Sequence, residues 1–122
     1  MGKKLLNLAL VLTLVPQVVF SAEKTWTGRI SDSMCGASHK VMAKEHQKEG
    51  VSLGQSQKDE DRNCTLSCIK EGGKYVFVAQ GQVYPIENQE FAGLEEHAGH
   101  TIKLTGEIGA DGKTIKVSKI TM

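Results

Sequence analysis

From Lys24 to Asp32 apolar and polar residues alternate, with Trp26, Gly28 and Ile30 on one face and Thr25, Thr27, Arg29 and Ser31 on the other. That is the period of a strand with one buried side. Residues 101–108 alternate as cleanly, placing Ile102, Leu104, Gly106 and Ile108 together. Two runs rich in aromatic and β-branched residues, 74–80 and 83–87, flank a turn at Gly81 and read as a strand pair. Residues 114–121 form the last strand, entered through Ala110-Asp111-Gly112-Lys113, a hairpin turn with Asp-Gly at its centre. The apolar parity of that strand slips between Val117 and Ile120, the mark of a bulge or a barrel corner.

Between the first two strands the period changes. Asp32 or Ser33 can cap a helix whose first turn holds Cys35 and which runs to about Lys48, with Gly50 as its stop. Residues 51–57 are polar and rich in Gly, Ser and Gln, so they read as a loop. A second short helix is expected over 64–70, capped by Asp61 or Asn63 and ended by Gly72-Gly73. A brief helix over 88–98 carries Phe91 and Leu94 and closes at Gly99. The predicted fold is mainly β, with a helix between the third and fourth of five strands. That is the order of an OB-fold, a small and partly open barrel. The unusual part is a helical insert, about residues 33–72, between the first and second strands.

The N-terminus has another character. Lys3 and Lys4 precede an apolar run over residues 5–20, followed by the small residues Ser21 and Ala22. That order is the signature of a secretory signal peptide. The run is shorter than the about 20 residues of a membrane span, and Pro16 interrupts it. Residues 1–22 are therefore expected to be removed, with no membrane span in the mature form. Residues 23–122 are then one exported domain, periplasmic or extracellular.

Charge narrows the partners. The formal net charge is +1, and the signal segment holds two lysines and no acid, which leaves −1 for the remainder. A near-neutral domain has no electrostatic case for nucleic acid or an anionic membrane. About 100 residues build one modest core, and small exported domains often rely on a covalent or metal staple.

The chain has three cysteines, Cys35, Cys64 and Cys68, and all lie in the expected insert. Export places them in an oxidising compartment, where an odd number cannot all pair within one chain. Cys35-x-x-x-His39 and Cys64-x-x-x-Cys68 each put two donors one helical turn apart on one face. Two such pairs facing each other make a Cys3His set suited to zinc, and the same donors suit copper(I). Cysteines near helix starts are favoured as thiolates, the form a metal needs. Met42 and His46 extend the first stripe: with Cys35 and His39 they fall within an arc of about 60°. They read first as core filler and a solvated residue, and second as ligands.

A disulfide is the competing reading. In a helix, residues four apart have Cα atoms about 6.2 Å apart, but their Cβ atoms stay near 6 Å, beyond the limit of about 4.5 Å. Cys64–Cys68 is thus disfavoured, and Cys35 bridged to Cys64 or Cys68 is the better pairing, with one thiol left beside His39. The remaining candidates are weaker. His97 and His100 read as surface residues separated by Gly99. Tyr75, Phe77 and Tyr84 offer a stacking platform of the kind OB-folds present to single strands, but the charge favours a core role.

The segments W-T-G-R-I-S-D-S-M-C-G-A-S-H, C-T-L-S-C-I-K-E-G-G-K-Y-V-F-V and A-G-H-T-I-K-L-T-G-E-I together resemble a family of small exported bacterial proteins of unknown function with an OB-like domain. The resemblance covers nearly all of residues 25–121. It implies the OB-like fold and a shared signature of Cys35, His39, Cys64 and Cys68, and it implies no reaction.

The expectation is a non-enzymatic exported binding module with a zinc or copper ion on Cys35, His39, Cys64 and Cys68, acting on an unknown protein or small-molecule partner. Its rivals are a disulfide-stapled structural or interaction domain with one free thiol, and a thiol-redox protein.

Overall fold

The computed structural model describes residues 2, 14–16, 22–40, 44, 45, 48–50, 54 and 56–122. Most of the expected signal peptide, Met42 and His46 lie outside the described residues. Among the described residues, no helix is long and apolar enough to cross a membrane.

Among the described residues, five strands and two bounded helices follow in order: β1 (Lys24–Asp32), α1 (Gln57–Lys70), β2 (Tyr75–Ala79), β3 (Gln82–Pro85), α2 (Gly93–Glu96), β4 (Thr101–Ile108) and β5 (Ile115–Thr121). The strands form one sheet in the order β3-β2-β1-β4-β5, every neighbouring pair antiparallel. β1 is shared along its length. Lys24 to Arg29 pair with β4, whereas Arg29 to Asp32 pair with β2, Asp32 lying opposite Tyr75.

The alternation sets the core. Ile30, Phe77, Leu94, Ile102, Leu104 and Ile115 are buried together, and Trp26 and Tyr84 pack against them. Phe77 is wholly buried and Tyr75 nearly so, so these rings are core and not a stacking platform. The parity slip in β5 is a bulge: Thr105 opposes Lys119 and Gly106 opposes Val117, which leaves Ser118 as the extra residue.

The expected barrel is not closed. Its two edges, β3 and β5, meet at a single parallel bridge between Ile86 and Ile115, where Glu87 N–H donates to Ile115 O at 2.9 Å. Side-chain amides then take over. Asn88 donates to Val117 O and accepts from Val117 N–H, both at 2.8 Å. Gln89 accepts from Tyr75 N–H at 2.7 Å and donates to Tyr75 O at 2.9 Å. This use of Asn88 and Gln89 also corrects the helix expected over 88–98, since only Gly93–Glu96 is helical.

α1 is longer than expected. Its N-cap is Ser56, whose Oγ accepts from Asp59 N–H at 3.2 Å and donates to Asp59 Oδ2 at 2.7 Å. The charged run 58–62 is therefore helical, and Cys64 and Cys68 lie in the helix interior. The glycine stop is as expected. Gly72 has φ +101, and the bonds Gly73 N–H to Cys68 O and Gly72 N–H to Ile69 O close a Schellman motif.

Candidate metal centre

The site forms where β1 ends. Asp32 Oδ1 accepts from Met34 N–H at 3.0 Å and from Cys35 N–H at 2.8 Å, and Gly36 N–H donates to Asp32 O at 2.8 Å. Gly36 then takes φ +58, which no helix continues. Residues 33–37 are thus a turn, and Ser38 and His39 are irregular. The helix expected to carry Cys35 and His39 is corrected on this point. Asp32 does cap the amides of Met34 and Cys35, but its side chain fixes a local turn in place of a helix start. Helical backbone is described from Lys40.

The turn folds Cys35 back over α1. Cys64 and Cys68 sit one turn apart on the same helix face, both wholly buried, while Cys35 is half-buried. Cys35 Sγ lies 3.8 Å from Cys64 Sγ and 3.8 Å from Cys68 Sγ. All three cysteines are free thiols. Cys64 lies about two turns inside α1, away from the helix's positive end. Burial, the largest cause, instead pushes all three thiols up, Cys68 to about 12, and the carboxylate of Asp32 adds to it. Without an ion, burial thus favours the protonated thiols. A cation reverses that balance and draws the protons off.

His39 is buried beside the thiols. Its Nε2 lies 2.7 Å from Ser31 Oγ, and Ser31 Oγ donates to Gly36 O at 2.7 Å. Ser31 thus ties the His39 ring to the turn. Nδ1 is buried without a hydrogen-bond partner and stands 3.8 Å from Asp61 Oδ1. Burial lowers the His39 pKa, against the opposing pull of Asp32 and Asp61. Burial thus favours the neutral ring, the form in which an imidazole binds a metal. Arg29 holds the surroundings in place, donating to Ala37 O at 2.9 Å and standing 3.6 Å from Asp61 on α1.

Two overlapping donor groups result. The ligand atoms of Cys35, His39 and Cys64 lie within 4.8 Å of one another, and so do those of Asp32, Cys35 and Cys68. Cys35 belongs to both. The structure thus brings together all four residues read from the sequence, and neither His97 nor His100 joins them. Asp32 was missed as a donor, although its signal was present. It continues the parity of Trp26, Gly28 and Ile30, so a carboxylate falls on the buried face of β1. Compared with known proteins, the chain matches no family model, no curated protein and no solved structure.

Proposed function

We propose that the chain is an exported, non-enzymatic module whose working element is a metal ion held by Cys35, His39, Cys64 and Cys68, carried on an open, OB-like sheet. The observation that carries this reading is the pair of 3.8 Å sulfur separations centred on Cys35. Four ligands placed tetrahedrally about zinc at a Zn–S distance of about 2.3 Å have edges of about 3.8 Å. The thiols are therefore spaced for an ion among them. A ring nitrogen of His39, within 4.8 Å of the sulfurs of Cys35 and Cys64, completes the set. Thiolate and imidazole donors suit zinc or copper(I), and the ion joins the turn at Cys35 to α1.

A second reading has its own support. Cys35 is half-buried and equally distant from two buried thiols, so a disulfide to either one needs only a closing movement of the turn. Substitution of His39 separates the two. His39→Ala should weaken metal retention by roughly tenfold or more, because it removes a ligand and leaves the thiols. Under the disulfide reading the same change leaves thiol reactivity close to wild type.

A further inference from the structure

Four further donors surround Cys35, and the one not read from the sequence is Asp32. Its Oδ1 is fully used by the amides of Met34 and Cys35. Its Oδ2 is buried with no hydrogen-bond partner, on a residue of zero exposure. His39 Nε2 stands 3.8 Å from Oδ2, beyond hydrogen-bond distance, and lies 2.7 Å from Ser31 Oγ. A carboxylate oxygen held out of water is unstable unless a cation or a donor meets it. The ligand atoms of Asp32, Cys35 and Cys68 lie within 4.8 Å of one another, so an ion among the thiols is also within reach of this carboxylate.

We propose that Asp32 is a direct ligand of the ion and that its oxygen makes the centre selective for zinc over copper(I). Two physical differences point the same way. A carboxylate is a hard donor, well matched to a divalent borderline ion and poorly matched to soft copper(I). Three thiolates and a carboxylate also place a large negative charge in a site with little water, and a divalent ion offsets twice as much of it as a monovalent one. A closed zinc site takes four ligands, so beside three thiolates Asp32 and His39 share the remaining position. Asp32 thereby does two jobs with its two oxygens, one fixing the Cys35 turn and the other binding the ion.

This inference rests on the metal reading, and competition titrations with zinc and with chelator-buffered copper(I) test the two apart. Asp32→Asn keeps the oxygen that caps Met34 and Cys35 and removes the carboxylate. It should lower zinc affinity at least about tenfold while copper(I) affinity changes by less than about threefold. A merely structural role would lower both together, and that result, or an unchanged zinc affinity, overturns the proposal. Asp32→Ser, which also keeps a capping oxygen, repeats the test if the asparagine variant does not fold. If neither variant folds, the difference infrared spectrum of the wild-type protein decides. A carboxylate band should move on adding zinc and stay fixed on adding copper(I), and a spectrum in which zinc moves no carboxylate band overturns the proposal. A wild-type protein that binds neither ion removes the metal reading, and this inference with it.

Discussion

A Cβ placed on Gly99 would stand 2.3 Å from the backbone nitrogen of Arg62, so the turn after α2 lies directly against α1. Gly99 has φ +75, and its N–H donates to Ile30 O at 2.8 Å. Arg62 answers by donating to Glu95 O at 2.9 Å and Glu96 O at 2.8 Å. This contact seats the helix that carries Cys64 and Cys68 against the end of β1. Gly99→Ala should therefore cost about 3 kcal/mol, since both the backbone conformation and the space forbid a side chain. Gly112→Ala has a similar φ, +70, but open space around it. It should cost only about 1 kcal/mol. Denaturant titration of the two variants gives the comparison, and equal costs would mean that the close approach of Gly99 to α1 does not matter.

The sheet face is tested at neighbouring positions. Leu104 is wholly buried and Lys103 is exposed. Leu104→Ala should destabilise by roughly 2–5 kcal/mol. Lys103→Ala should stay within about 0.5 kcal/mol of wild type. The measurement is again the unfolding midpoint, and similar losses at both sites would contradict the face assignment.

Much of this was legible because the signal was local. The alternation in residues 101–108 requires one buried side whatever the neighbours are, and the buried residues Ile102, Leu104 and Gly106 follow it. The parity slip between Val117 and Ile120 is likewise a property of β5 alone, and the bulge at Ser118 lies there. Side chains that substitute for backbone were not legible. Asn88 and Gln89 open a segment that reads as a brief helix in sequence, yet they hydrogen-bond to β5 and β2. Ser56 was hidden in a polar stretch read as loop, although Ser56 and Asp59 have capping-box spacing. At the candidate site the four donors were legible from residue type and spacing, but the reason they meet was not. Cys35 and His39 converge through the turn that Asp32 fixes, and a helix has no part in it.

The β4–β5 loop carries a pH-dependent contact. Asp111 accepts from Lys113 N–H at 2.9 Å and Thr114 N–H at 2.8 Å, and the Thr114 hydroxyl donates to its second oxygen. These bonds, the hydroxyl first, hold its carboxyl at about 2, below the usual 3.8. A depressed carboxyl stabilises the folded state above the unfolded value, and the benefit is lost as pH falls through the folded value. The stability difference between wild type and Asp111→Asn should therefore be constant above pH 4 and shrink between about pH 4 and pH 2. An NMR titration of the Asp111 carboxyl should give a midpoint near 2, and a midpoint near 3.8 would contradict the loop geometry.

Export predicts a defined N-terminus. From Lys3-Lys4, the apolar run and Ser21-Ala22, the mature form should begin at Ala22 or Glu23. Intact-mass analysis of the secreted protein checks this, and an uncleaved chain retained in the membrane fraction would contradict it.

Metal content and thiol count, measured together on protein recovered from an oxidising compartment, test the metal centre most directly. The predicted result is about one metal ion per chain, no disulfide by mass, and three thiols that alkylate fully only after a strong chelator removes the ion. The result that contradicts it is a chain without metal in which two cysteines are bridged and a single thiol is labelled.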